Sequence, residues 1–445
     1  MNGELLQNHV RQKRIGEGIL LTTDYGSWTY LSQEEYEQYQ EGKLDSIKLK
    51  ENGIVIGDEN YESVIRDYRR KIAYLFQGPS LHIVVPTLRC NMQCIYCHAR
   101  SKPIDTQGYD MDIDTAKKTV DFIFQSPSKA ITIEFQGGEP LANFGTVKYL
   151  VQYAKKKNQK EKRDLRLSIV TNLVLMDEEK LKFLTKEKVN ICTSLDGNQM
   201  VHDKNRQEYA QTVKWIKRIR ENNNINAMTI ITKHSLNYHK EIVDEYARLG
   251  LDTIWIKPVS KLGCAEEKWN EIGISAEEFL EFWKKAMERV LEINKKQTLK
   301  ENSISIILKK ILSKDCYNFA DLESPCGAAI AQLAYNHDGS IYTCDEARLF
   351  EIFKLGTVEQ KFKEVVASRG TEGIVRSSIN DNPACEVCAY KPYCGVCPVS
   401  SFAETGNIIT RLPNRRCAIL KGQFDYVFEK ILFDEEFKSA TKPWI

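Results

Sequence analysis

The sequence predicts an α/β protein built on a parallel sheet, because strand and helix patterns alternate through its central part. Apolar residues at helical spacing, such as Ala116, Val120 and Ile123, separate short apolar runs that are typical of buried strands. Six such runs lie at residues 81–86, 131–135, 165–170, 189–195, 225–231 and 253–256. A chain that alternates strand and helix in this way forms parallel strands. Six strand–helix units are too few to close an eight-stranded barrel.

A small N-terminal domain is predicted for residues 1–75, which contain no cysteine. Two β-prone runs, Gly18–Thr23 and Ser27–Leu31, are separated by turn residues and predict a hairpin. Ser32 and Glu35 have the spacing of a capping box, so a helix is expected to begin after Ser32.

The composition allows two or three domains and excludes several classes of function. The 445 residues carry a net charge of +2 from 63 basic and 61 acidic residues, and no basic run is interleaved with aromatics. We therefore expect no nucleic-acid partner. The polar start of the chain lacks the apolar core of a signal peptide, and no stretch is long enough for a membrane span, so we expect a cytoplasmic protein without a membrane partner. Thirteen cysteines in such a protein indicate metal ligands instead of disulfides.

Three of the cysteines lie in one eight-residue stretch that follows the first strand. Cys90, Cys94 and Cys97 have the spacing C-x3-C-x2-C. Three thiolates can hold three irons of a cubane [4Fe–4S] cluster and leave the fourth iron open to another ligand. A structural zinc site is the alternative, but it needs a fourth ligand close by, and none follows in the next turns of chain.

This spacing, with the aromatic residue Tyr96 before the last cysteine, resembles the signature of radical S-adenosylmethionine (SAM) enzymes. In that family the open iron chelates SAM, and reductive cleavage yields a 5′-deoxyadenosyl radical that abstracts a substrate hydrogen. The resemblance implies a partial (β/α)6 TIM barrel over residues 76–310, with its site at the C-terminal ends of the strands. It also implies an electron donor such as flavodoxin or ferredoxin.

Further motifs follow the second and third strands. The run 137–140, Gly-Gly-Glu-Pro, has paired glycines that let the backbone approach a ligand closely. It resembles the family's GGEP motif, whose backbone and glutamate hold the amino group of the methionine moiety. Thr171-Asn172 resembles a family element that contacts the cofactor, but this chain has Leu173 where the family usually has glycine.

The fourth strand ends at Ser194 and Asp196, and Arg206 follows at the spacing where relatives pair an arginine with the cofactor carboxylate. A surface ion pair is the alternative role of Arg206. The resemblance thus assigns cofactor contacts to Tyr96, Gly137, Gly138, Glu139, Pro140, Thr171, Asn172, Ser194, Asp196 and Arg206.

A second set of cysteines lies in residues 311–445. Its pattern resembles the SPASM extension of radical SAM enzymes, which holds two auxiliary [4Fe–4S] clusters, so the chain would carry three clusters. The resemblance assigns Cys326, Cys344 and Cys397 to the first auxiliary cluster, with Cys316 as a possible fourth ligand. It assigns Cys385, Cys388, Cys394 and Cys417 to the second. The last step, from Cys394 to Cys397, has two intervening residues where the family usually has three. A zinc ribbon is the alternative to iron–sulfur clusters for this set of cysteines.

Four further side chains carry weaker expectations. Asp345 follows Cys344, and in related sulfatase maturases an aspartate there takes a proton from the radical intermediate, so Asp345 is a candidate catalytic base. An N-cap or a cluster-loop hydrogen bond is its alternative role. His98 is expected to be a packing or solvent-facing residue, and Cys192 a buried small hydrophobe. Cys264, which follows the sixth strand, is expected to be a plain loop thiol. The alternative is that its side chain faces the cavity of the barrel.

The order of the domains favours an enzyme that modifies peptides. SPASM enzymes mostly act on ribosomally made peptides or proteins, and residues 1–75 resemble winged-helix domains that bind a leader peptide by adding a strand. The pattern looks most like maturases of His-Xaa-Ser-type peptide systems. The leading hypothesis is a maturase that makes an oxidative intramolecular crosslink in a ribosomal precursor peptide. The alternatives are a sulfatase-type Ser/Cys-oxidising maturase, a thioether-forming enzyme, a peptide epimerase and a zinc-binding scaffold.

Overall fold

The computed structural model describes residues 6–44, 47–313, 317 and 319–445, so Cys316 lies outside the described residues. The strands are β1 Leu6–Gln7, β2 Val10–Ile15, β3 Gly18–Thr23, β4 Trp28–Leu31, β5 Val55–Ile56, β6 Leu81–Thr87, β7 Arg89–Cys90, β8 Lys102–Pro103, β9 Ala130–Gly137, β10 Asp164–Val170, β11 Val189–Ser194, β12 Ile225–Ile231, β13 Thr253–Pro258, β14 Lys300–Glu301, β15 Gln332–Tyr335, β16 Ser340–Tyr342 and β17 Lys354–Thr357.

The helices surround these strands. They are α1 Gln33–Gln40, α2 Ile47–Glu51, α3 Tyr61–Ile72, α4 Ile113–Ile123, α5 Phe144–Glu161, α6 Glu178–Lys186, α7 Gln199–Asn205, α8 Tyr209–Arg220, α9 His239–Arg248, α10 Cys264–Glu267, α11 Trp269–Ile272, α12 Ala276–Asn294, α13 Asn302–Leu312, α14 Phe362–Val366, α15 Arg369–Ser377, α16 Pro383–Glu386, α17 Pro398–Thr405, α18 Arg415–Phe433 and α19 Glu435–Thr441. In the part of the chain that the structure describes, none of them is long and apolar enough to cross a membrane.

A ten-stranded sheet forms the centre of the molecule, in the order β14-β13-β12-β11-β10-β9-β6-β15-β16-β17. The six strands expected from the sequence are β6 and β9 to β13, and each is parallel to its neighbours. Helices connect them on one side, as in a partial barrel. The predicted parallel α/β fold is therefore confirmed.

The two faces of the barrel strands differ in polarity. On β9, Ile131, Ile133 and Phe135 are fully buried and belong to the main hydrophobic core. The alternate residues, such as Glu134, are partly exposed and point to the other face, because side chains on a strand alternate. The helices thus cover the apolar outer face, and a more polar inner face lines the barrel.

The C-terminal region extends the same sheet. β15 pairs with β6 in parallel, and β16 and β17 continue in antiparallel order. The sequence pattern does not predict these strands, since each has only three or four residues. This pairing places the loops that carry the C-terminal cysteines beside the open end of the barrel.

The N-terminal residues form a three-stranded antiparallel sheet, β2-β3-β4, which contains the predicted hairpin. The capping box is confirmed: Glu35 N donates to Ser32 Oγ at 3.2 Å, and Ser32 N donates to the Glu35 carboxylate at 2.7 Å. One face of this sheet packs on the C-terminal region, where the ring of Trp28 lies edge-on to Phe428 at 5.6 Å. The N-terminal domain is therefore anchored to α18.

Candidate active site

The cluster loop, residues 90–97, leaves the C-terminal end of β6. Its backbone is held by its own turn, in which Cys97 N donates to Cys94 O at 3.2 Å, and by Ile95 N, which donates to Asn205 O at 3.0 Å. Burial raises the pKa of Cys90 to about 12, so a free thiol at this position would stay protonated. A bound metal is what would favour the thiolate there. The twelve described cysteines form no disulfide with one another.

The paired glycines after β9 pack tightly against the strand that leads into the cluster loop. A Cβ on Gly137 would lie 2.5 Å from Thr87 O, and a Cβ on Gly138 would lie 2.2 Å from Arg89 O. Gly137 also has a φ of +127°, which other residues rarely adopt. These two positions therefore require glycine, and they expose backbone beside the cluster loop.

Glu139 is fully buried and joins three elements of the site. Its carboxylate accepts hydrogen bonds from Leu141 N at 3.0 Å, Thr171 Oγ1 at 2.6 Å and Asn172 N at 2.8 Å. An ionised carboxylate has about four acceptor positions, so about one is left for a ligand such as an ammonium group. Pro140 begins a short 3₁₀ turn directly behind it.

Leu173 replaces the expected glycine without changing the backbone conformation. Its φ of +67° lies in the left-handed region, and its N–H donates to Thr171 Oγ1 at 3.0 Å. The side chain is fully buried, which offsets the strain of this conformation. The turn that presents Asn172 is therefore preserved, and the Asn172 side-chain amide lies 3.8 Å from the Cys90 sulfur.

A buried network connects the cluster loop to β11. Tyr96 donates to Asp196 Oδ2 at 2.7 Å, and Arg206 Nη1 donates to the Tyr96 hydroxyl at 3.0 Å. Arg206 Nε is buried without a hydrogen-bond partner among the described residues. An unpartnered guanidinium N–H next to the cluster loop fits the carboxylate of SAM. Ser194 lies at the end of β11, half-buried, two residues before Asp196.

Asp345 lies between two cations. His98 Nε2 is 2.8 Å from Asp345 Oδ2, and Arg348 Nη2 donates to Asp345 Oδ1 at 2.7 Å. Burial opposes ionisation, but Arg348 and His98 hold the pKa of Asp345 well below its usual range. A carboxylate with such a low pKa is a weak proton acceptor at rest. Its role as a base stays a prediction, and the ion pairs favour the alternative of a loop anchor.

The structure gives His98 and Cys264 contacts that the sequence did not predict. His98 contacts Asp345, so it connects the cluster loop to the loop that carries Cys344. Cys264 N donates to Cys97 O at 2.9 Å, so Cys264 packs on the cluster loop. Cys192 is half-buried on the inner face of β11.

The described C-terminal cysteines form two neighbouring groups. Burial and the nearby Cys397 raise the pKa of Cys326 to about 12, and Cys344 interacts with both of them. The second group lines a cavity together with Cys397 of the first group. Its cysteines are Cys385, Cys388, Cys394 and Cys417. The division of these cysteines between two auxiliary clusters stays a prediction.

Among the residues that the structure describes, no three His, Cys, Asp or Glu side chains meet closely enough to hold one metal ion. The assignment of these thiols to iron–sulfur clusters stays a prediction.

Arg416 lies between the two groups and was not identified from the sequence. Its guanidinium interacts with Cys397 of the first group and Cys394 of the second. Nη2 donates to Asp321 O at 2.8 Å, and Nε is buried without a partner among the described residues. The only signal in the sequence is a basic residue directly before Cys417.

A cleft opens between β13, α13 and α18. Trp255 and Lys257 line its barrel side, and Arg415, Arg416 and Gln423 line its C-terminal side. The cleft therefore gives access to the inner face of the barrel from the surface.

Residues 84–246 match the Radical SAM superfamily, so the chain carries a radical SAM domain. Domains of this superfamily use a [4Fe–4S] cluster and SAM, and the residues described above fit both groups. A cysteine-type anaerobic sulfatase-maturating enzyme of Clostridium novyi (strain NT) is 24% identical over 339 residues, which cover 71% of this chain and 86% of that enzyme.

Two solved structures share the fold. Native anSMEcpe with bound AdoMet and Cp18Cys peptide has a TM-score of 0.68 at 18% identity, over 82% of this chain and 100% of that one. Streptococcus suis SuiB bound to precursor peptide SuiA has a TM-score of 0.60 at 14% identity, over 91% of this chain and 98% of that one. The similarity thus extends beyond the radical SAM domain into both terminal regions.

Proposed function

We propose that this chain is a radical SAM peptide maturase that forms an oxidative intramolecular crosslink in a ribosomal precursor peptide. The observation that carries the proposal is the contact between His98 and Asp345. It joins the cluster loop to the loop of Cys344, so the two cysteine-bearing loops lie next to each other. The cluster and SAM would supply a 5′-deoxyadenosyl radical. A flavodoxin or ferredoxin is the expected electron donor.

The cleft and the N-terminal sheet support a peptide as the substrate. A cleft reaches Trp255 and Lys257 from the surface, so it offers a peptide segment a route to the inner face of the barrel. In the described residues, β2 and β4 each pair only with β3, so each has an outer edge to which a strand can be added. Of the similar structures, SuiB and anSMEcpe were both solved with a bound peptide.

The sulfatase-type maturase is the second candidate, because the Clostridium novyi enzyme aligns with 71% of this chain. Such an enzyme oxidises a single Ser or Cys of a protein, whereas a crosslinking enzyme joins two residues. The two reactions leave different chemical groups, so their products can be distinguished.

The test is anaerobic co-expression of the chain with the small open reading frames encoded beside it, followed by tandem mass spectrometry. We expect one peptide to lose two hydrogens, to give no fragment ions between the joined residues, and not to react with a hydrazine. A hydrazine-reactive aldehyde would support the sulfatase-type reaction instead. Unchanged mass with altered chirality would support an epimerase. The variant Cys90/Cys94/Cys97→Ala is the control and should give unmodified peptide.

A further inference from the structure

The inner face of the barrel carries polar side chains from β9 to β13, beside apolar ones such as Met228 and Trp255. Glu134 on β9 lies opposite Ser168 on β10, and Cys192 on β11 lies opposite Asn226 on β12. Lys257 lies on the same face of β13. A barrel that fills its own interior does so with branched apolar side chains. This face is instead suited to a polar ligand.

Glu134 is the acidic group of this surface. Ser168 Oγ donates to its Oε2 at 3.0 Å, and Gln136 Nε2 donates to its Oε1 at 2.5 Å. In the described part of the chain, no basic side chain forms an ion pair with Glu134. Burial raises the pKa of Glu134, whereas Gln136 and Ser168 lower it. A half-buried carboxylate that no cation contacts is costly, so this arrangement indicates a missing partner.

The charged groups that face Glu134 do not supply that partner. Lys257 acts on it electrostatically, but its ammonium lies over the ring of Trp255 at 4.1 Å from the centroid. Asp345 faces Glu134 with a negative charge and is already paired with His98 and Arg348. The thiol of Cys192 is the remaining titratable neighbour, and burial raises its pKa to about 11, so it is neutral.

We propose that Glu134 binds a cationic side chain of the substrate, the ammonium of a lysine or the guanidinium of an arginine. The two protein hydrogen bonds leave about two of the four acceptor positions of the carboxylate free. A cationic donor uses them best, because charge-assisted hydrogen bonds are about twice as strong as neutral ones. The identification of the ligand as part of a peptide rests on the proposed function.

The test uses fragments instead of the unidentified peptide. Binding of n-butylammonium and of n-butanol to the reconstituted full chain is measured by ligand-detected NMR. We expect the cation to bind about ten to a hundred times more tightly, the range of one buried hydrogen bond to a charged group. In Glu134→Gln this preference should fall below about threefold, whereas Glu134→Asp should keep most of it.

Glu17→Gln removes the same charge at an exposed turn and is the matched control; it should retain the full preference. Circular dichroism and iron content show that each variant is folded. Equal binding of the two fragments to the wild type would overturn the proposal, and so would an unchanged preference in Glu134→Gln. Fragment binding requires no turnover, so it tests the Glu134 site independently of peptide modification. If the fragments bind as expected but no peptide is modified, the proposed function is wrong and the Glu134 site is retained.

Discussion

The two cysteine regions of this molecule are built in opposite ways. Cys90, Cys94 and Cys97 lie within eight residues of one loop, and a hydrogen bond within the loop joins Cys97 N to Cys94 O. The C-terminal cysteines are spread from Cys326 to Cys417 and come together only through the fold. Spacing in the sequence is therefore a sufficient guide to the first site. The second region depends on how β15 to β17 and α18 are packed.

The C-terminal region also depends on the N-terminal domain. Arg11 Nε donates to Glu386 O at 2.8 Å, and Thr22 Oγ1 donates to Ala389 O at 2.8 Å. Glu386 and Ala389 directly follow Cys385 and Cys388, so the N-terminal sheet holds this cysteine loop in place. Deleting the N-terminal domain would expose Leu20, a residue of the main core. Point substitutions are thus a sharper test of its role than truncation.

The largest effect is expected from Cys90/Cys94/Cys97→Ala. These thiols are the predicted ligands of the SAM-binding cluster, so 5′-deoxyadenosine formation should fall to background. The C-terminal sites do not share ligands with this loop and should keep their iron. Anaerobic chromatography of 5′-deoxyadenosine measures the first effect, and iron analysis the second. Undiminished cleavage of SAM would show that the local motif is not the catalytic site.

A more selective effect is expected from Cys385/Cys388→Ala. The variant should lose about four irons per chain, those of one cubane. SAM cleavage without peptide should stay within about threefold of wild type, since the cluster loop is intact. Mature peptide should become undetectable. If SAM cleavage were lost together with the iron, the two cysteine regions would not be independent.

A smaller effect is expected from Asp345→Asn. Asparagine can still hydrogen-bond to His98, and Arg348 and His98 already make the Asp345 carboxylate a weak base. Mature peptide should fall by less than about tenfold, whereas loss of a general base typically costs about a hundredfold or more. His98→Gln should have a similar effect, because it changes the same contact. A hundredfold loss in Asp345→Asn alone, with all iron retained, would support the catalytic base.

The smallest effect is expected from Arg11→Met. Arg11 is 3% exposed and bonds to Asp24 and Glu386, but both carboxylates are nearly half exposed. We expect the free energy of unfolding to fall by about 1–2 kcal/mol. Chemical denaturation measures this change. Arg14→Met on the same strand is the control. The exposed side chain of Arg14 hydrogen-bonds to Gln33, so the free energy of unfolding should change by less than about 0.5 kcal/mol.

The parallel strands and the helix cap could be predicted because their signals are local. Each barrel strand is an apolar run, and Ser32 and Glu35 are three residues apart. The contact between His98 and Asp345 joins residues 247 positions apart, and nothing in either neighbourhood indicates the other. The same holds for Arg416, whose role depends on the two cysteine groups that surround it. The polar inner face of β9 could have been predicted from the sequence, because Glu134 interrupts the apolar run 131–135.

Iron, sulfide and zinc analysis of anaerobically reconstituted protein tests most directly whether the chain holds three clusters. Wild type should contain about twelve irons and about twelve sulfides per chain, and no zinc. Cys90/Cys94/Cys97→Ala and Cys385/Cys388→Ala should each contain about eight irons. Zinc without sulfide in the wild type, or an unchanged iron content in both variants, would contradict the division into one SAM-binding and two auxiliary clusters.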